Sequence, residues 1–387
     1  MKQSVNRKLY TLLILVVVLG LLNTVGVIKI VPILFIYYLF YKWVFPLYKT
    51  NNIQYFWVTL FLSYNLLLIL RCCFFDSNYG VLGNWFLSLL GNAQVGIPVL
   101  LMPMLVCIAN DKSFATAFVR VCKGLIYVNI CVASLCIMNV NVPYANALSM
   151  TAVFLVIPYY LRIKRSLIWI AIFLVSYRDI VDGERSMLIA LVLTFGLTVM
   201  LTYLHHLRKM YIRTIIYGMT SITIFLLVFN LYAQVDFFTW LIESYGNYDV
   251  VGDNTRSFLF FEIIEDFNIN KAWIFGKGIL GTYFSQVMFD ARNRGDSVDN
   301  MSRLITECGW LLLLLKGGLV NVCLYAMTQI SIMHTAFKKN NGFLDVCIII
   351  LAVHFMIMFV SNSIYFDLPN VMYWLVAGIC LTKNKTF

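Results

Sequence analysis

Residues 212–233, IRTIIYGMTSITIFLLVFNLYA, and residues 310–332, WLLLLLKGGLVNVCLYAMTQISI, are long apolar runs flanking a polar island, 234–303, that holds ten of the chain's eighteen carboxylates. A bilayer core about 30 Å thick needs roughly 20 apolar residues per helical crossing, which each run supplies. Backbone polar groups must pair within that layer, so both runs are read as transmembrane helices. The island cannot enter the layer. A membrane protein with one large hydrophilic loop among short connections is expected to do its chemistry in that loop.

Over its whole length the 387-residue chain is 61% hydrophobic, 12% charged and 16% aromatic, with a mean hydropathy of +0.84. These values lie far from those of a soluble domain. The strand-like alternation of an outer-membrane barrel is absent, which leaves an all-α, polytopic transmembrane bundle. Twelve candidate spans lie near 9–25, 28–45, 54–72, 93–109, 120–138, 148–163, 167–178, 186–204, 212–233, 310–332, 343–362 and 369–382. The organisation is then 1–233 as helices with short loops, 234–309 as a loop subdomain with amphipathic helices between the ninth and tenth spans, and 310–387 as C-terminal helices. Seventy residues are too few for a large independent core, so the loop must lean on the helices.

Lys and Arg favour cytoplasmic loops. With the N-terminus inside, 18 of the 29 basic residues fall on the cytoplasmic side, and of 18 acids only Asp111 and Asp345 do. Both termini are expected in the cytoplasm and the long loop outside it, in a multi-pass protein of the bacterial inner membrane. The net charge of +11 follows from insertion and does not imply nucleic-acid binding. The ten cysteines are scattered through apolar segments without a CxxC pair and read as buried thiols. No His, Cys and carboxylate grouping has metal-ligand spacing, so neither a metal nor a cofactor is expected. His354, within a span, reads as a packed helix residue.

Within the loop, Asp253-Asn254-Thr255 supplies helix-cap chemistry, and RSFLFFEIIEDF places Phe258, Phe261, Ile264 and Phe267 near a helical period. An amphipathic surface helix with Arg256 in its first turn is expected. Gly276-Lys277-Gly278-Ile279-Leu280-Gly281 has GxGxxG spacing but lacks the preceding strand of a dinucleotide site. Its glycines allow a plain turn or close approach to a ligand or helix. Facing a diphosphate, its amides and Lys277 would make an anion nest. The stretch SYRDIVDGERSMLIA carries Arg178, Asp179, Asp182, Glu184 and Arg185 between two spans, read either as an interfacial salt-bridge cluster or as a headgroup site.

Glu184-Arg185-Ser186, two spans, Thr255-Arg256-Ser257, Phe275-Gly276-Lys277-Gly278, Asp299-Asn300 and Glu307-Cys308-Gly309 leading to Gly317-Gly318 together resemble the O-antigen polymerase and ligase superfamily over residues 178 to 320. The resemblance implies a metal-independent glycosyltransferase acting on undecaprenyl-diphosphate-linked oligosaccharides on the extracytoplasmic face. It also implies a chain-length regulator and a flippase as partners, with membrane lipid around the spans. The ligase branch has a histidine followed by asparagine late in the loop. Here that place reads Asp299-Asn300 and the loop has no histidine, which favours a polymerase of O-antigen, capsule or exopolysaccharide repeat units.

Without a metal, the diphosphate leaving group needs guanidinium or ammonium partners. Arg185 and Arg256 are the first candidates, followed by Arg178, Lys277 and Arg71, with Gly276, Gly278 and Asn300 as further substrate contacts. Glu184 and Asp299 are candidates for the base that takes the sugar hydroxyl proton. Lys316, after five leucines, either snorkels past Gly317-Gly318 or lines the lipid-diphosphate cleft. Trp240, Tyr245, Tyr248, Trp273, Tyr283 and Trp310 read as interfacial belt residues or sugar-stacking platforms. The alternatives are a ligase moving finished glycan to an acceptor, and a polysaccharide flippase or transporter. A transporter should show repeat symmetry and ionisable groups along its helices, and neither is evident.

Overall fold

The computed structural model describes residues 38, 55–74, 88–90, 92, 94–109, 112–140, 142, 145–234, 237, 240, 255–293, 301–360 and 366–382. The candidate spans at 9–25 and, apart from Tyr38, 28–45 therefore fall outside the described residues, as do the cap residues Asp253 and Asn254, the aromatics Tyr245 and Tyr248, and the Asp299-Asn300 pair. In chain order the elements are α1 (Phe56–Phe74), the short α2 (Ile97–Leu101) and α3 (Leu105–Ile108) around a 3-10 turn, and α4 (Lys112–Ile137). The short α5 (Ala145–Met150) and α6 (Val156–Tyr160) flank a second 3-10 turn, followed by α7 (Arg165–Val181), α8 (Arg185–Tyr203) and α9 (Arg208–Ala233). Then come α10 (Thr255–Asn270), β1 (Tyr283–Phe284), α11 (Gln286–Asn293), β2 (Ser302–Arg303), α12 (Gly309–Lys338), α13 (Gly342–Ile357) and α14 (Leu368–Leu381).

Helical chain coincides with every candidate span that falls on described residues. Among the described residues five helices are long and apolar enough to cross a membrane, Phe56–Phe74, Phe114–Ile137, Ser186–Tyr203, Arg208–Ala233 and Gly309–Lys338. Two spans change helix type along their length, each passing through a 3-10 segment. The 93–109 run does so at Met102–Met104, with Pro98 and Pro103 each removing a backbone donor, and the 148–163 run at Thr151–Leu155.

The core is built around α13, whose residues from Leu344 to Val353 are all buried and whose neighbours are α8, α9, α12 and α14. A helix that is apolar on every side must be kept from water, and here surrounding helices enclose it. Against it α14 comes close to α3, because Gly378 has no side chain: a Cβ there would lie 2.5 Å from the Ala109 Cβ. Small residues permit such backbone approach between membrane helices. At one end of the bundle Arg208 pairs with Asp345, tying α9 to α13, and Lys339 donates to the carbonyls of Cys380 and Thr382 at 2.6 and 2.5 Å. These contacts satisfy the carbonyls left open where α14 ends.

At the opposite end, hereafter the loop end, α12 is interrupted. Gly318 takes φ 68° and ψ −166°, a conformation open essentially to glycine alone. The break deprives nearby backbone groups of intrahelical partners, and residues 273–278 replace them. Lys277 and Gly278 amides donate to the Leu315 and Lys316 carbonyls at 2.8 and 3.0 Å, while Leu319 and Val320 amides donate to Trp273 and Ile274 carbonyls at 2.8 and 3.3 Å. Gly276 lies against the break, where a Cβ would meet the Gly318 and Gly317 amide nitrogens at 2.5 and 2.7 Å. Of the readings open for this glycine stretch, close approach to a neighbouring helix is the one found. The anion nest is not, since the Lys277 and Gly278 amides are already bonded to α12.

The apolar face of α10 is rotated from the expected one. Ile264 and Phe267 are buried together with Leu259, Phe260 and Ile263, but Phe258 and Phe261 are 42% and 49% exposed. The reason is that α10 packs into a crevice formed by α9, α12 and β1 instead of lying on a flat surface.

Gly318→Ala is expected to destabilise the protein by about 1–3 kcal/mol from backbone strain alone, and by more once the Ile274 carbonyl, 2.2 Å from the new Cβ, is displaced. Thermal unfolding in detergent should show a clear drop for this variant and almost none for the partly exposed Leu319→Ala. Equal midpoints would refute the role given to the break.

Candidate functional site

A cleft of about 710 Å³ opens between α1 and the segment that mends the break, lined by Tyr64, Leu67, Leu68, Arg71, Asn270, Lys271, Ala272 and residues 274–277. Arg71 is carried by the last turn of α1 and donates through Nη1 to the carbonyls of Phe275 (2.9 Å) and Gly276 (3.2 Å). The Tyr64 hydroxyl, two turns earlier, donates to the Gly317 carbonyl at 2.6 Å. The wall of the cleft is thus held by the same backbone that repairs α12. Its lining combines three cations, Arg71, Lys271 and Lys277, with aliphatic and aromatic surface and includes no carboxylate.

Lys277 lies 2.9 Å from the Asp266 carboxylate, an acid of α10 eleven residues earlier. Lys316 neither snorkels nor reaches the cleft lining. It is 6% exposed, and its Nζ donates to the carbonyls of Gly281 (2.9 Å) and Leu304 (2.8 Å), fastening the loop to α12. The expectation that it binds substrate is therefore replaced by a structural tie, made because the loop folds down over the leucine run.

The second charged turn forms its own network. Arg178 is 4% exposed; its Nε donates to Asp182 at 2.7 Å, Nη1 to the Ala145 carbonyl at 3.2 Å, and Nη2 to the Asn146 side chain. Asn146 in turn donates to Glu184 at 2.7 Å, and Ser149 to Asp179 at 3.0 Å. Of the two readings of this turn, the salt-bridge cluster describes Arg178. A polar cleft of about 520 Å³, lined in part by Asn139, Asn146, Arg178 and Asp182, lies beside it. A small pocket lined by Ser149, Asp179, Ile357 and Asn370 reaches the end of α13, where the Gly309 amide donates to the Met358 carbonyl at 2.8 Å. That contact puts the Arg178 cluster at the loop end as well.

Arg185 begins α8 and Arg256 lies in the first turn of α10, but their side chains, like Asp299 and Asn300, are outside the described residues. The two helices have different principal neighbours: α8 packs on α13 and α7, α10 on β1, α9 and α12. Among the described residues no cluster of three His, Cys, Asp or Glu side chains could hold a metal.

Glu262 escaped the sequence reading. It is buried on α10, and its Oε1 accepts from the Ser285 hydroxyl (3.1 Å) and the Val287 amide (3.2 Å), capping α11 from another helix. Burial pushes its carboxyl above the usual glutamate value, against the downward pull of the Val287 amide, the Ser285 hydroxyl and Arg303. No local pattern could have flagged it, because its partners lie 23 and 25 residues away.

Two outcomes follow from these contacts. Arg178→Ala leaves the buried Asp179 without its nearby cation and should cost about 3–5 kcal/mol in chemical unfolding, whereas Lys271→Ala, at an exposed position, should cost almost nothing. An acid whose folded pKa is raised contributes stability that is present below its unfolded value, about 4.3, and is lost as pH rises through the folded value. Limited proteolysis of α11 should therefore accelerate over that interval in the native protein, and Glu262→Gln should flatten the profile; an unchanged slope would exclude Glu262 as the titrating group. No protein-family model, curated protein or solved structure matches this chain.

Proposed function

We propose that the chain polymerises lipid-diphosphate-linked oligosaccharide repeat units at the extracytoplasmic face of a bacterial inner membrane. The observation that carries this reading is the cleft between α1 and residues 270–277, cationic, without a lining acid, and bordered by Leu67, Leu68, Ile274 and Phe275. An amphiphile with an anionic headgroup and a long apolar tail suits such a lining. The resemblance of residues 178 to 320 to the O-antigen polymerase and ligase superfamily points the same way.

In the proposed reaction a hydroxyl of the incoming lipid-linked unit attacks the anomeric carbon of the growing chain. The new glycosidic C–O bond forms as the bond from that carbon to the diphosphate oxygen breaks, and the lipid diphosphate leaves with the bonding electrons. Arg71 and Lys271 stabilise the gathering negative charge, with Lys277, Arg185 and Arg256 as further candidates. The hydroxyl proton passes to a carboxylate, with Glu184 and Asp299 as candidates.

A strain lacking the protein should accumulate single-repeat glycans on lipid, visible as a collapsed ladder on gels. Arg71→Ala, Arg185→Ala and Arg256→Ala should each lower polymerisation by about 10²- to 10³-fold at wild-type membrane abundance. A full-length ladder in the deletion strain sinks the polymerase, and long lipid-linked chains left unattached would identify a ligase instead.

A further inference from the structure

The three cations of the cleft are not equivalent. The Lys277 ammonium is neutralised by Asp266 at 2.9 Å, and Arg71 holds two loop carbonyls through Nη1. Lys271 is exposed at the cleft and makes no hydrogen bond or ion pair among the described residues.

Its backbone is also unusual. Lys271 follows the last residue of α10 with φ +53°, and the Ala272 amide donates back to the Phe267 carbonyl at 3.2 Å, the 6→1 bond of a Schellman helix ending. Glycine takes this left-handed position at least cost. A lysine there bears conformational strain while projecting a long cation into the cleft, where its charge is also favoured by the carbonyl end of α10.

We infer that Lys271 is the residue that grips the phosphate-bearing headgroup of a lipid in this cleft, with Arg71 as the second cation; on the polymerase reading that lipid is an isoprenoid diphosphate. Leu67, Leu68, Ile274 and Phe275 then border its first isoprene units. This assignment rests on the polymerase reading and names the substrate-binding residue of that site. A diphosphate on an isoprenoid chain, a phospholipid headgroup and inorganic diphosphate share the chemistry that Lys271 would recognise, so binding must separate them.

Full-length protein in nanodiscs of phosphatidylcholine can be titrated with undecaprenyl diphosphate, phosphatidylglycerol or inorganic diphosphate, with bound ligand read by native mass spectrometry. Undecaprenyl diphosphate should bind about tenfold or more tightly than the other two, and Lys271→Gln should weaken it about tenfold. Lys271→Arg should recover most of the affinity. Arg292→Gln, which removes an exposed cation of the same loop outside the cleft, should stay within about twofold of wild type. Wild-type binding by Lys271→Gln, an equal loss in Arg292→Gln, or equal affinity for phosphatidylglycerol would overturn the assignment. A collapsed glycan ladder in the deletion strain with unaltered binding by Lys271→Gln refutes Lys271 and spares the polymerase. A full ladder with Lys271-dependent binding refutes the polymerase and leaves an anionic-lipid site.

Discussion

The loop end of the protein depends on a backbone problem. Where Gly318 leaves the helical path, carbonyls at Leu315 and Lys316 and amides at Leu319 and Val320 need partners inside an apolar helix. An unsatisfied backbone group in hydrocarbon costs several kcal/mol, so a broken membrane helix persists only where protein or a cavity covers it. Residues 273–278 supply that cover, which draws the loop against α12. The positions of Arg71, Tyr64, Gly276 and Lys316 follow from it, because each bonds or packs against the mended segment.

Two charged regions share the loop end but differ in electrostatic state. Around Arg178, acids and amides satisfy the guanidinium internally, so the cluster fixes α5, α7 and the turn before α8 to one another. The cleft beside Arg71 is lined by three cations and no carboxylate; Lys277 pairs with Asp266, and Lys271 makes no ion pair among the described residues. Unmatched positive charge beside apolar surface favours an anionic amphiphile, while a matched network favours rigidity. The first region thus frames the bundle, and the second is the surface on which the proposed lipid binding rests.

Burial follows the same division. α13 and α14 are enclosed almost completely, whereas α1, α7, α8 and α9 keep large apolar side chains exposed, as expected of helices that face lipid. Leu67 and Phe275 are exposed apolar side chains that also border the cleft, so apolar surface runs up to its cations.

The helices were legible because hydrophobic runs of crossing length have few other stable forms; α9 and α12 lie where their composition puts them. Arg71 was legible as a cation at the end of the third apolar run, and Lys277 as the cation within the glycine stretch. Lys271 was not, since nothing local distinguishes a free lysine from one paired through space, and Glu262 was not, since its partners are distant in sequence. The amino-acid sequence by itself determined that this chain is a helical membrane protein with a polar loop between two long apolar runs, since transfer free energy is a sum over local residues. Only the tertiary structure decided that α12 breaks, that the glycine stretch mends it, and that Lys277 pairs with Asp266 while Lys271 makes no ion pair among the described residues, because hydrogen-bond satisfaction and charge pairing depend on groups far apart in the chain.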